Sequence, residues 1–238
     1  MTKTATRSQL RRRPRAVARI GQAAIVIAAL VGCAWGGWVV WRVQAAEEVV
    51  VTAERIIAGH GDEATLIRAE SACGAPCTPQ ARVTAAAARN TLALRSGAVQ
   101  RTEYLDRVER DLQGLTEGPV ARADALVQLA QARAVRADAV GPALEPLARS
   151  YDREPFSTGF GVWRLRVAGS NWAAASPALR VRALDEAEWL IRIRPDDRTG
   201  VEALFSDPAA AMAFQLRSLR AGARVTQPTV GSQDQLAL

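Results

Sequence analysis

The stretch ALEPLARSYDREP, Ala143 to Pro155, recurs 40 residues later as ALDEAEWLIRIRP, Ala183 to Pro195. Both copies space alanine and leucine as an amphipathic helix does, and both end at a proline, which disfavours helical backbone in the residue before it. Another amphipathic stretch precedes each copy, ALVQLAQA from Ala125 and GVWRLRVA from Gly161. The repeated unit is therefore a helical hairpin, and hairpins of this period stack on one another to bury their apolar faces.

The segment ADALVQLAQARAV…ALEPLARSYDREPF, Ala123 to Phe156, resembles a tetratricopeptide unit. It has small residues inside its first helix, an alanine- and leucine-rich second helix, and an aromatic residue and a proline near the end. The resemblance implies stacked helical hairpins over about residues 98–206. The stretches WRLRVAGSNW, EAEWLIRIRP and ALFSDPAAAMAFQLR are also similar to membrane-anchored helical proteins of α-proteobacteria that accompany envelope polysaccharide assembly.

The remaining sequence predicts an all-α chain. Glycine and proline divide it into alanine-, leucine- and arginine-rich stretches, and Asp62, Ser176 and either Ser206 or Asp207 are predicted N-caps. EVVVT, residues 48–52, is compatible with a strand or with a helix that continues from the preceding segment. The predicted helices are 43–58, 62–72, 79–95, 99–113, 119–136, 140–152, 159–173, 177–193, 198–205 and 208–220.

The basic character of the chain is confined to its N-terminus. The net charge is +7, and residues 1–19 hold seven basic side chains and no acidic one. Residues 20–238 therefore hold 24 basic and 24 acidic residues and are neutral. A nucleic-acid-binding domain needs a basic face that neutralises phosphates, so this distribution argues against that function class.

An uncharged run, residues 20–41, follows the basic tail. As a helix it extends roughly 33 Å, enough for a hydrocarbon layer of about 30 Å. Seven basic residues precede the run, whereas Arg42 and Arg55 follow it together with acidic residues. By the positive-inside rule, we expect a bacterial inner-membrane protein with a cytoplasmic N-terminus and a periplasmic body. The alternative is a signal peptide cleaved after Ala45 or Ala46.

Two patterns lie within this run. Trp35, Trp38 and Trp41 step along its outer end, so they and Arg42 are predicted to lie at the membrane interface, where tryptophan is enriched. A stripe of small residues repeats at every fourth position, the spacing of helix–helix contacts in membranes. The stripe predicts a homodimer, or it reflects only an alanine- and glycine-rich composition. Its members are Ala24, Ala28, Gly32 and Gly36.

The predicted periplasmic location of the body determines how the cysteines are interpreted. Cys33 lies in the span and is interpreted as a small apolar residue. Cys73 and Cys77 flank Gly74 and Pro76, which predict a tight turn, and an oxidising compartment favours a structural disulfide between them. The alternative is a thiol-disulfide oxidoreductase, although the spacing is CxxxC rather than CxxC.

No catalytic motif is recognisable, and the sequence predicts a protein that is not an enzyme and has no cofactor. His60, Asp62 and Glu63 offer metal-ligand chemistry, but the two flanking glycines favour a solvated turn in which Asp62 caps a helix. No phosphate-binding glycine loop, nucleophile elbow or zinc motif is present. We therefore assign no catalytic, cofactor or metal residues.

A candidate ligand surface is formed by Trp163, Arg164, Arg192 and Arg194, whose aromatic and cationic side chains suit an anionic glycan. The competing interpretation packs Trp163, Trp172 and Trp189 into the core, as large aromatics at helical spacing usually do. Each R-x-R pair points to two sides of its helix and does not form a single clamp.

These inferences predict five segments: a basic cytoplasmic tail (1–19), a transmembrane helix (20–41), a membrane-proximal helical region with the disulfide (42–97), a helical-repeat domain (98–220) and a disordered tail (221–238). The predicted function is a membrane-anchored periplasmic scaffold in envelope polysaccharide assembly or export. Its expected partners are an envelope protein and inner-membrane lipid. The alternatives are an anionic-glycan-binding module and the oxidoreductase.

Overall fold

The computed structural model describes residues 13–74, 77–137 and 141–225, with side chains for 25–74, 77–136 and 141–220. Within these ranges all regular structure is helical, and a 3-10 turn at Pro195–Asp197 precedes α9. The all-α prediction is confirmed. The α-helices are α1 (Arg13–Ile57), α2 (Glu63–Cys73), α3 (Pro79–Arg95), α4 (Ala98–Thr116), α5 (Ala123–Ala137), α6 (Gly141–Arg153), α7 (Gly161–Ser170), α8 (Pro177–Ile193), α9 (Arg198–Glu202) and α10 (Pro208–Val225).

Side-chain caps explain where several helices begin. Asp62 accepts a hydrogen bond from Thr65 N at 2.9 Å, and Ser176 accepts one from Leu179 N at 3.2 Å. Asp207 accepts from the backbone N–H groups of residues 209 and 210. Each cap satisfies amide donors that lack an intrahelical partner in the first turn. The predicted caps Asp62, Ser176 and Asp207 are confirmed, and Thr78 caps α3 in the same way.

The structure differs from the sequence prediction at several helix ends. EVVVT is helical within α1, so the strand interpretation is wrong. α5 begins four residues later than predicted, because Gly118 adopts a φ of +67° and the chain turns before Ala123. α7 ends at Ser170, where the Asn171 side chain donates to a carbonyl of the last turn. The predicted bounds of α3 and α8 are confirmed.

Three apolar clusters form the core. The first joins the C-terminal part of α1 to α2 and α3, and the second joins α3 to α4 and α5. α3 serves both because most of its buried residues are alanine: Ala85 faces the first cluster and Ala86 the second. The second cluster therefore spans the predicted domain boundary at residue 97. The third cluster joins the end of α5 to α6, α7, α8, α9 and α10.

The two repeated stretches form neighbouring helical hairpins. α5 packs on α6 and α7 packs on α8, and α6 also contacts α8. The chain after α9 passes very close to α7, since a Cβ at Gly169 would lie 2.6 Å from the Leu204 carbonyl oxygen. The N–H of Asp207 donates to the Gly169 carbonyl at 3.3 Å. The tetratricopeptide-like arrangement of the hairpins stays a prediction.

Candidate functional site

The first candidate feature is the change of environment along α1. Every residue from 25 to 41 is exposed in the folded chain, including Ile25 and Leu30. From Ala45 onward the same helix contributes Val49 and Ala53 to the first cluster, and both are almost fully buried. An 18-residue window of this helix within Ile25–Ile57 has a mean hydropathy of 1.6, and by length and composition the helix suits a membrane span. None of the residues that the structure describes covers the apolar surface of its first part.

The interface residues lie where the exposed part of α1 ends. The rings of Trp35 and Trp38 are in contact, with centroids 5.2 Å apart, and the Arg42 guanidinium lies 4.9 Å from the centroid of the Trp38 ring. Trp41 is half exposed. Trp35, Trp38 and Arg42 therefore contact one another along about two turns of α1, and their place at a membrane interface stays a prediction.

The predicted helix-contact stripe is open to solvent where it is described. Ala28, Gly32 and Gly36 are exposed, and a Cβ at either glycine would meet no atom of this chain within 4 Å. The Ala24 side chain lies outside the described side chains. Cys33 is exposed on the same part of α1. Dimerisation through the stripe stays a prediction.

The disulfide joins the end of α2 to the segment before α3. Cys73 and Cys77 are bonded, with their Cα atoms 5.6 Å apart. Cys73 is buried in the first cluster, and Gly74 supports the turn with a φ of +71°. The predicted pairing is confirmed in this structure. Its position in the α2–α3 connection fits a structural bond, and a redox function stays a prediction.

An arginine-lined cleft of about 940 Å³ opens between α2, α3 and α4. Arg89, which is 2% exposed, donates to Asp111 at 2.6 Å and also bonds Glu70. Arg107 pairs with Glu63 at 2.9 Å, and burial raises the pKa of this glutamate despite the arginines beside it. The sequence analysis missed this network because its partners are contributed by three separate helices.

The candidate ligand surface is only partly at the surface. Arg192 and Arg194 are exposed, and Trp163 is half-buried against the third cluster. Arg164 is fully buried, so assigning it to an exposed ligand surface was wrong. The reason is its place on α7: it points inward toward α8, whereas Arg166, two residues on, points outward. Trp172 is buried in the core.

Arg164 belongs to a buried polar network. Its guanidinium makes two hydrogen bonds to Glu186, one of them at 3.1 Å, and a third at 2.7 Å to the Glu154 carbonyl. Glu186 also accepts from Tyr151 Oη at 2.7 Å and from Ser157 N at 3.1 Å. Burial raises the pKa of the Glu186 carboxyl, and the hydrogen bonds from Arg164, Tyr151 and Ser157 offset part of that rise. The network ties the α6–α7 connection to α8.

A small pocket of about 240 Å³ lies beside the exposed arginines. Its floor is apolar, and Arg166, Arg194 and Asp197 contribute its charges. Both arginines are exposed, and neither forms an ion pair with the residues that the structure describes. The remaining lining residues are Val162, Leu190, Gly200, Val201 and Leu204. The arrangement suits an anionic group held against apolar surface.

The predicted turn at His60 is exposed. Gly59 and Gly61 have φ values of +99° and +108°, which place His60 at the tip of the turn after α1. Asp62 caps α2, and the hydrogen bonds from Thr65 lower the pKa of its carboxyl. In the part of the chain that the structure describes, no three metal-ligating side chains are grouped.

Comparison with known proteins leaves the family open. No model of a protein family, no characterised protein and no solved structure matches the chain significantly. The resemblances to tetratricopeptide proteins and to proteins of envelope polysaccharide assembly therefore stay predictions.

Proposed function

We propose that this chain is a single-pass membrane protein whose helical body acts as a binding or scaffolding subunit at the membrane surface. One observation carries the proposal: α1 is exposed and apolar over residues 25–41 and becomes part of the core from Ala45. Large exposed apolar surfaces mark contact with another apolar phase, and a bilayer suits a helix of this length. The anchor and the core of the body are then one continuous helix.

The same continuity favours a retained helix over a cleaved signal peptide. Ala45 and Ala46, where cleavage would fall, are helical and buried in the first cluster. Cleavage there would remove one or both from the core and separate the rest of α1 from its preceding turns. The excess of basic residues before the span supports a cytoplasmic N-terminus and a periplasmic body. The predicted disulfide suits that oxidising compartment.

The body supplies the binding surface in this proposal. Helical hairpins that stack present extended surfaces suited to protein partners, and a membrane anchor confines such a surface to an envelope assembly. Production or export of envelope polysaccharide is the process we propose, on the resemblance of the segments around Trp163 and Trp189. An envelope protein is the expected partner, with membrane lipid around α1.

Purification of the tagged chain from solubilised membranes tests this function. Leu165→Asp places a charge at a fully buried position of α7 and should abolish recovery of the partner proteins found with wild type. Val181→Asp, at a half-exposed position of α8, is the matched control and should recover them. Cys73→Ser with Cys77→Ser should also recover them. Equal recovery with Leu165→Asp would contradict a binding role for the hairpins.

A second candidate function, recognition of an anionic glycan, is favoured by the pocket beside Arg166 and Arg194. We expect the full chain in detergent to bind polygalacturonate, and not neutral dextran, with an affinity that falls as salt rises. Replacing both arginines by glutamine should weaken this binding, whereas Arg153→Gln, remote from the pocket, should not. Salt-independent binding, or binding that survives the double substitution, would contradict this second function.

A further inference from the structure

A groove of about 530 Å³ lies where the exposed part of α1 meets the body. α1 lines it with Trp38, Val39, Arg42 and Val43, and the segment entering α3 lines it with Cys77, Thr78, Pro79 and Arg82. One wall is therefore mostly apolar and runs along the end of the candidate span. The other wall belongs to the body and begins directly after the disulfide.

The charge of this groove is positive. Its described lining residues include two arginines and no aspartate or glutamate. Arg82 donates to the backbone carbonyl of Asp111, whose carboxylate pairs with Arg89, and Arg82 forms no ion pair with the described residues. The N-terminus of α3, a helix of 17 residues, also opens here and adds to the positive potential. An anionic group is the complementary occupant.

The groove's position selects which anionic group reaches it. If α1 spans the membrane over residues 20–41, Trp38 and Arg42 lie at the level of the lipid headgroups. Arg82 is held beside this level because the C-terminal part of α1 packs against α3. A molecule with a phosphate and an adjoining acyl chain then matches both walls, with the phosphate toward the arginines and the hydrocarbon along Val39, on the span side of Arg42.

We propose that this groove binds an anionic phospholipid of the leaflet at which the body lies. The inference rests on the proposed membrane anchoring and adds to it a specific lipid site. Arg42 and Arg82 hold the phosphate, and Trp38 covers the top of the acyl chain. The bound lipid joins α1 to the start of α3 and thereby fixes the orientation of the body at the membrane surface.

Native mass spectrometry of the full chain, released from vesicles of equal phosphatidylglycerol and phosphatidylcholine, tests the site. Wild type should retain phosphatidylglycerol over phosphatidylcholine by about tenfold, because both lipids carry the phosphate but only phosphatidylcholine adds a cationic choline, which the two arginines repel. Arg42→Gln with Arg82→Gln should abolish this preference. Arg82→Lys keeps the charge and should retain most of the preference, and Arg198→Gln, an exposed arginine of the body, should leave it unchanged.

The outcomes separate the lipid site from the anchoring. A chain that floats with the vesicles but retains both lipids equally overturns the groove assignment and leaves the anchoring intact. A preference that survives the double substitution also overturns the assignment. Displacement of the lipid by inorganic phosphate at constant ionic strength would show that the groove takes free phosphate instead. A chain that does not float with either lipid overturns the anchoring as well.

Discussion

At the scale of single residues, Arg164 and Glu186 hold the second half of the body together. Both are completely buried, and their hydrogen bonds reach α7, α8 and the connection after α6. The Arg164 guanidinium also lies 4.0 Å from the centroid of the Tyr151 ring. A buried ion pair is not by itself strongly stabilising, but removing one partner leaves the other charge without compensation. Loss of either residue alone therefore leaves a buried charge without its partner.

We predict that Arg164→Met lowers the free energy of unfolding by about 3–5 kcal/mol, because Glu186 is left buried without its cation. The double variant, Arg164→Met with Glu186→Met, should be less destabilised than Arg164→Met alone. Urea denaturation of the full chain in mild detergent measures all three proteins. A double variant that is less stable than the single variant would contradict the role of the unpaired charge.

Tyr151 provides a pH-dependent reporter of the same network. Burial and the adjacent Glu186 carboxylate raise the pKa of Tyr151 well above its ordinary value of about 10. Folded protein therefore holds a proton that unfolded protein loses above about pH 10. The free energy of unfolding is independent of this group below that pH and should fall as the pH rises above it.

Tyr104→Phe leaves Tyr151 as the chain's single tyrosine, so ultraviolet absorbance can follow its ionisation alone. We expect phenolate absorbance to appear together with the loss of helical circular dichroism during an alkaline titration. Ionisation near pH 10 in a chain that remains helical would contradict the buried position of Tyr151.

The sequence predicted that α7 is amphipathic, but it did not identify Arg164 as the buried residue that binds α8. The spacing R-x-R placed Arg164 and Arg166 on different sides of the helix, and the structure agrees. Glu186 follows Arg164 by 22 residues on another helix, so no local pattern indicates their pairing. The sequence analysis instead placed Arg164 on the candidate ligand surface, which its burial contradicts.

At the scale of elements, local sequence signals determine where helices begin and end, whereas packing determines which helices are continuous and where they cross. Caps and prolines act within one turn of the chain, and the predicted ends of α3 and α8 are correct for that reason. The continuity of α1 depends on packing, because its C-terminal part is held by α2 and α3. The close crossing of α7 by the chain before α10 was also not predictable, since Gly169 lies in an ordinary helical pattern.

We predict that Gly169→Ala lowers the free energy of unfolding by about 1–3 kcal/mol, the usual cost of overpacking. The added methyl group would lie 2.6 Å from a backbone oxygen, which has no flexible end that can move aside. Gly200→Ala is the matched control: it lies in α9, nothing approaches within 4 Å, and the change should be neutral or slightly stabilising. Thermal denaturation of both variants checks the difference, and equal melting temperatures would contradict the close crossing.

At the scale of the whole molecule, α1 links two environments within one helix. Its exposed apolar part follows a basic tail, and its last turns lie in the core of a neutral body. Because the helix is continuous, the distance between the candidate span and the body is fixed rather than set by a flexible linker. The groove beside Trp38 and the arginine-lined cleft share Arg82 and Cys77, so both lie near the membrane surface in the proposed arrangement.

The mass of the chain recovered from carbonate-washed membranes tests this account most directly. We predict that the protein resists carbonate extraction and that its intact mass still includes residues 20–46. This result follows if residues 20–41 remain in the bilayer and continue into the body. A carbonate-soluble protein shortened by its first 45 or 46 residues would contradict the account.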